Sequence, residues 1–206
     1  MKIFVNNKEL EVSGKRVLIE ELREAGYDIP SMCYASGAEH QPSCMVCMVR
    51  NESNDQMIPS CATFPTEGMR IDTESEDVIA LRRMAVELLL SDHHARCGGC
   101  EGKEKCKLRE LSVQLKAKWT RYGALAPVGE KMQEHVTGRL YFEPAKCIRC
   151  GLCVYNSKDG FTFQGRGFNM QVVIPEPSKP HVEECLAELC PTGALFLKKE
   201  EESVKA

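Results

Sequence analysis

The 206-residue sequence predicts an α+β fold assembled from three small modules, and three observations carry that expectation. Eleven of the twelve cysteines, together with one histidine, fall into three groups of four at metal-ligand spacing, spread along the whole chain. Short strand signals surround the first and third groups, whereas apolar residues at helical spacing surround the second. The chain is 43% apolar but only 6% aromatic. Each module is therefore expected to be too small to fold on a core alone and to be stapled by whatever its cysteines bind.

Residues 2–12, KIFVNNKELEV, read as two strands joined at Asn6-Asn7, which is a hairpin signal. Val17 to Ala25 places apolar residues at 17, 18, 22 and 25 and then meets Gly26, so a short helix with a glycine stop is expected. Ile29-Pro30 breaks the chain just before Cys33. Met48-Val49 and Met57-Ile58 read as strand fragments on either side of a loop from Asn51 to Gln56. Strand, strand, helix, cysteine loop and strands is the order of a β-grasp ferredoxin-like domain, assigned to residues 1–77.

The run DTESED at 72–77 changes the composition sharply, and Thr73 with Glu76 fits a capping box. The helix expected from Val78 to Ser91 puts Val78, Leu81, Ala85 and Leu88 on one face and ends by delivering His93. A second helix is expected from Lys105 to about Trp119, with Leu108, Leu111, Leu115 and Trp119 in a stripe. The single Trp is assigned to packing between modules. Residues 78–122 thus form a small helical module. Gly123, Pro127, Gly129 and Gly138 mark 123–138 as a linker. A third module, 139–198, opens with the strand Leu140-Tyr141-Phe142 and contains a hairpin between Phe161 and Ile174. Residues 199–206 read as a charged tail.

The first ligand group is Cys33, Cys44, Cys47 and Cys61, spaced C-x10-C-x2-C-x13-C. Spacing alone leaves a zinc ribbon open beside a [2Fe–2S] loop; the preceding hairpin and helix favour the latter. The second group is His93, Cys97, Cys100 and Cys106, for which zinc is equally open on spacing and His94 competes with His93. The third is the C-x2-C-x2-C run of Cys147, Cys150 and Cys153, completed by Cys190 before Pro191. Three cysteines at that spacing exceed what a zinc site normally uses and point to [4Fe–4S]. The bacterial ferredoxin run C-x2-C-x2-C-x3-C-P would carry a fourth cysteine for another cluster. Here that position is Ser157, so the module reads as half of such a fold. Cys185 fits no site and is expected to be a buried small hydrophobe. His40, His135 and His181 are expected on the surface. That many one-electron centres imply a chain that carries electrons.

The formal net charge of −3 gives no argument for nucleic-acid binding. The opening MKIFVNNK has no apolar signal core, and Val78 to Leu90 is interrupted by Arg82, Arg83 and Glu87, so no membrane insertion is expected. A cytoplasmic location follows, where close cysteines act as metal ligands rather than disulfides. Gly165-Arg166-Gly167 lacks the third glycine and following helix of a dinucleotide fingerprint.

With these motifs in order, the chain resembles the amino-terminal region of the complex I large iron–sulfur subunit, the equivalent region of [FeFe]-hydrogenases, and the small diaphorase subunit of NAD-reducing [NiFe]-hydrogenases. IPSCATFPTEGM around Cys61, SDHHARCGGCEGKEKC, KCIRCGLC and LCPTGAL carry the resemblance, over about residues 2–197. It implies one [2Fe–2S] cluster in the first group and two [4Fe–4S] clusters in the others, with His93 rather than His94 as ligand. The sequence carries neither a molybdopterin-type domain nor H-cluster cysteine motifs, so a catalytic hydrogenase is not expected. The resemblance implies an electron-transfer subunit between a flavin (FMN)/NAD-binding diaphorase subunit and catalytic hydrogenase-type subunits, with no catalytic residue of its own. A formate dehydrogenase subunit or short complex I paralogue is the alternative of the same kind, and a free polyferredoxin that of another.

Overall fold

A computed structural model describes residues 1–91, 93, 97, 100, 105–119, 121–122, 134–158, 160–174 and 184–198. His94, His181, residues 123–133 of the expected linker and the tail 199–206 lie outside the described residues.

The first two strands, β1 (Lys2–Val5) and β2 (Lys8–Glu11), pair antiparallel. Asn6 (φ 50°) and Asn7 (φ 64°) both take the left-handed conformation that a tight primed turn demands and that Asn tolerates. Helix α1 (Leu18–Glu24) ends as its sequence signal requires. Gly26 takes φ 87°, its N–H donates to Arg23 O, and Tyr27 N–H donates to Leu22 O. These are the two bonds of a Schellman cap. Strands β3 (Met48–Asn51) and β4 (Gln56–Pro59) form a second hairpin.

A short strand absent from the sequence reading, β5 (Arg70–Asp72), closes this sheet. It runs parallel to β1 and antiparallel to β3, giving the order β2-β1-β5-β3-β4. Three residues beside an acidic run leave no period to recognise, and β5 is specified by the sheet it completes. Ile3, Val5, Leu18, Leu22, Val49 and Ile71 fill the core beneath.

Helix α2 spans Glu76–Ser91. The capping box expected from Thr73 and Glu76 does not form. Thr73 instead donates its N–H to Asn6 Oδ1, while Asn6 Nδ2 donates to Thr73 Oγ1. Asp72 Oδ1 accepts the N–H groups of Glu74 and Ser75, an Asx turn that satisfies donors ahead of the helix. Helix α3 is Lys107–Gln114, shorter than expected. Lys116 takes φ 52°, Lys116 N–H donates to Val113 O and Ala117 N–H to Ser112 O. This is again a Schellman cap, built on a lysine where sequence rules look for glycine. Leu115 is buried beyond the helix, and Trp119 remains 37% exposed.

In the third region, β6 (Glu134–Thr137), β7 (Leu140–Phe142) and β10 (Leu195–Leu197) form a sheet in the order β10-β7-β6. Residues 134–137 therefore belong to this sheet rather than to a linker. The expected hairpin is present as β8 (Thr162–Gln164) and β9 (Gln171–Val173). Helices α4 (Leu152–Asn156) and α5 (Leu186–Leu189) flank the ligand run. Ser157 Oγ accepts the N–H of Phe161, so the residue standing in place of a fourth cysteine anchors the hairpin.

Three apolar clusters result, but not one per module. The first and third regions each have their own. The middle cluster combines Met32, Cys33, Cys44 and Val46 with Ala85, Val86, Leu90, Cys106, Leu108 and Leu111, and Ile148 and Cys150 pack against it. Ligands from all three groups thus meet in one core.

Candidate metal centres

The first group is assembled by two loops at one end of the mixed sheet. Cys33, Cys44 and Cys47 precede β3 and Cys61 follows β4; all four are buried. Ser60 joins the two ends, its N–H (3.3 Å) and hydroxyl (2.7 Å) both donating to Cys47 O. Cys33 and Cys44 Sγ lie 3.3 Å apart. Hydrogen bonding with Cys44 and Cys61 holds the Cys33 thiol far below its ordinary range, and hydrogen bonding with Cys61 lowers Cys47 to about 6. The same contacts, with burial, push Cys44 and Cys61 up. Four buried sulfurs gathered in this way form a donor set that suits a cationic centre.

The loop from Cys33 to Cys44 is pinned by residues that spacing arguments did not single out. Tyr34 Oη (2.6 Å) and Ser36 Oγ (2.8 Å) donate to the same Glu20 oxygen, and these bonds, Tyr34 first, depress the Glu20 carboxyl. His40, expected on the surface, is half-buried: its ring lies 4.7 Å edge-on from Tyr34, and Nε2 is 3.1 Å from Cys61 O. No periodicity marks a loop residue that serves a carbonyl of a ligand 21 positions away.

In the third group, Cys147, Cys150, Cys153 and Cys190 line one small cavity with Phe142, Leu152, Val172 and Leu195. Burial raises the thiols of Cys147 and Cys150 to about 12 and pushes Cys153 up as well. Arg149 N–H and Leu195 N–H each donate to a sulfur, of Cys147 and Cys190 respectively, at 3.3 Å. The left-handed backbone at Arg149 (φ 55°) and Gly151 (φ 81°) coils the ligand run around this cavity. Gly151 is required twice over, since a Cβ there would sit 2.5 Å from the Tyr155 ring. The donor chemistry fits a thiolate-bound cluster, with backbone N–H groups directed at the sulfurs.

In the second group, Cys106 is buried as the N-cap of α3, and Cys97 and Cys100 are half-buried. Burial raises Cys97 and Cys106; the charge of Cys100 adds to both and that of Cys97 to Cys106, which places the three thiols in one another's field. His93 sits just beyond α2, its N–H donating to Leu90 O, with its ring 6.4 Å from Trp119. The Trp assigned to packing therefore lies beside the histidine expected to be a ligand. Among the described residues no three His, Cys, Asp or Glu side chains close on one point as ligands of a single ion would. The fit rests on the donor chemistry and on the three thiols lying within one another's electrostatic reach.

Cys185, expected to be buried, is exposed at the N-cap of α5, because the helix turns Leu186 inward instead. His135 is exposed as expected. No described helix is long and apolar enough to cross a membrane.

The groups are joined. Glu39, in the loop of the first, is held by Asn156 of α4: Glu39 N–H donates to Asn156 Oδ1 (3.0 Å) and Asn156 Nδ2 to Glu39 O (2.8 Å). The charge of Cys33 reaches Cys150. Lys107 N–H, next to Cys106, donates to the carbonyl of Pro191, next to Cys190, at 2.8 Å.

Comparison with known proteins finds iron–sulfur domains in this chain. Residues 1–76 match the family model described as a 2Fe-2S iron-sulfur cluster binding domain, and residues 82–121 match the NADH-ubiquinone oxidoreductase-G iron-sulfur binding region. The NAD-reducing hydrogenase HoxS subunit gamma of Cupriavidus necator is 23% identical, over 97% of this chain and 88% of its own length. The NADP-reducing hydrogenase subunit HndD of Solidesulfovibrio fructosivorans is 28% identical over 95% of this chain, but only 36% of its own length is covered. The mitochondrial NADH-ubiquinone oxidoreductase 78 kDa subunit of Candida albicans is 27% identical over 96% of this chain and 28% of its own length. A chain in a crystal structure of an NAD+-reducing [NiFe]-hydrogenase in the H2-reduced state shares the fold, with a TM-score of 0.85 at 23% identity over 99% of this chain and 90% of that one. The chain is homologous to the NAD-reducing hydrogenase HoxS subunit gamma and to the NADH-ubiquinone oxidoreductase 78 kDa subunit, and carries a [2Fe–2S] domain followed by a 4Fe–4S region.

Proposed function

We propose that this chain is an electron-transfer subunit that relays electrons between an FMN/NAD(P)H-handling diaphorase subunit and a catalytic partner of [NiFe]-hydrogenase type. Its cofactors are one [2Fe–2S] cluster held by Cys33, Cys44, Cys47 and Cys61 and two [4Fe–4S] clusters. His93, Cys97, Cys100 and Cys106 hold one of these, and Cys147, Cys150, Cys153 and Cys190 the other. When bound, such clusters supply one-electron steps at potentials set by ligands, hydrogen bonds and burial. The observation that carries the reading is the shared middle core, in which Cys33, Cys44 and Cys106 are buried together and Cys150 packs against them. A relay needs its centres adjacent and shielded from water, and a core that takes in residues of all three groups supports that reading.

The protein's part is ligation, spacing and exclusion of water. Asn156 sets the approach of the first and third groups, and the Lys107–Pro191 bond that of the second and third. The third group is thereby tied to both of the others. N–H groups of Ser43, Arg149 and Leu195 at Cys33, Cys147 and Cys190 give each of those sulfurs a hydrogen bond that stabilises added negative charge.

Native purification with iron and acid-labile sulfide analysis and EPR tests the assignment. One [2Fe–2S] and two [4Fe–4S] signals, with a flavin-containing subunit co-purifying, are expected. A colourless zinc protein, or a solitary monomer, would overturn it.

A further inference from the structure

Arg82 lies on α2, outside every ligand group, yet it is only 3% exposed. Its side chain reaches into the first domain. Nε donates to Met48 O at 2.9 Å, one residue past the ligand Cys47, and Nη1 donates to Thr73 O at 3.1 Å. Nη2 is buried with no hydrogen-bond partner. A guanidinium stays charged at any physiological pH, and burying an uncompensated charge is strongly unfavourable. Its two bonded partners are neutral carbonyls. Burial lowers its pKa, and the negative charges of Cys47, Asp28 and Asp72 act against that shift. Arg82 is thus a buried cation bonded to the carbonyl of Met48, the residue next to Cys47.

We infer that Arg82 is the resident counter-cation of the first centre and sets its reduction potential. This rests on the reading of that group as a [2Fe–2S] site. One-electron reduction adds one negative charge to the thiolate-bound iron, breaks no bond and needs no proton from Arg82. A fixed positive charge stabilises the reduced form more than the oxidised one, so Arg82 raises the potential. The interior screens that charge far less than water does, and salt reaches it poorly. Arg83, its neighbour, donates instead to Leu115 O, toward the helical region, and supplies an internal control.

The test is an EPR-monitored redox titration of the full-length protein with its clusters, comparing wild type with Arg82→Met, Arg82→Lys and Arg83→Met. Arg82→Met is expected to lower the first centre's midpoint by at least a tenfold change in its reduction equilibrium, about 59 mV for one electron. The shift should persist in high salt. Arg82→Lys keeps the charge and should stay near wild type, and Arg83→Met should not move this signal. An Arg82→Met midpoint within a twofold change of wild type, or an equal shift in Arg83→Met, would overturn the inference. So would loss of the first signal in both Arg82 variants, which would make the residue a structural strut. Absence of any [2Fe–2S] signal from wild type would instead sink the site assignment itself.

Discussion

Asn156→Ala should loosen the joint between the first and third centres without dismantling either. Asn156 is not among the proposed ligands, and across the joint its amide pairs with one residue, accepting from Glu39 N–H at 3.0 Å and donating to Glu39 O at 2.8 Å. That pairing with one donor and one acceptor fixes which end of the amide carries oxygen. Nδ2 also donates to Leu152 O, holding the side chain against α4. Each such bond contributes about 1 kcal/mol net, and the exposed Glu39 groups can return to water, so a loss of about 2 kcal/mol is expected. For a chain of this size that is a fall in Tm of about 4–8 °C. Thermal unfolding of the cluster-loaded protein measures the loss. EPR of the fully reduced protein measures the second consequence, weaker magnetic interaction between the two centres with iron content unchanged. Asn156→Asp keeps the size but replaces the donor with a second acceptor facing the Glu39 carbonyl, and should be at least as disruptive. A Tm within 1 °C of wild type and an unaltered spin interaction in both variants would refute the clamp.

Three further outcomes are expected. His93→Ala should abolish or reshape one [4Fe–4S] EPR signal and leave the [2Fe–2S] signal intact; if His94→Ala does so instead, the ligand assignment is off by one residue. Cys185→Ser should leave iron and sulfide content unchanged, since Cys185 is exposed outside the ligand cavity, and loss of one cluster would show that it is a ligand. Burial holds empty-site Cys147 and Cys150 near 12, so loading must release their protons, and cluster uptake should strengthen steadily from pH 6 to pH 9. In the cluster-free protein the sign is opposite: a raised folded pKa contributes stability that is intact below the unfolded thiol value, about 8.5, and lost as pH climbs toward 12. Urea denaturation of the two forms across pH separates these slopes, and parallel slopes would contradict the raised thiols.

The three proposed ligand groups stand out in the sequence because thiolate ligation imposes spacing, and spacing survives in one dimension. The Asn6-Asn7 hairpin and the Gly26 helix stop were legible for a related reason, since a positive φ selects its residue. The same logic failed at Lys116, where tertiary packing of Leu115 holds a lysine in the left-handed region and ends α3 early. It failed again at Thr73, because Asn6 lies 67 residues away in sequence and claims the side chain first. Strands β5, β6 and β10 are three or four residues long and exist only as partners of other strands. Tyr34, His40, Arg82 and Asn156 carry no motif, and their roles come from distant backbone groups. A buried, charged residue interrupting an apolar helix was the one available signal: Arg82 stood out in the sequence only as a reason α2 does not span a membrane.

The middle region changes what a module means here. Ala85, Leu90, Cys106, Leu108 and Leu111, between residues 78 and 122, share one apolar cluster with Met32, Cys33, Cys44 and Val46, against which Ile148 and Cys150 also pack. α2 and α3 pack on each other, but their cluster is completed by residues of the first and third regions, so the helical segment is a seam as much as a unit. Folding and cluster acquisition are then coupled across the chain: the apolar wall that keeps Cys33 and Cys44 dry is made partly of α2 and α3. Loss of the second centre should loosen the protection of the first even where no ligand of the first is touched. The arrangement suits a relay, because the residues that exclude water from one centre are the residues that hold the next one close.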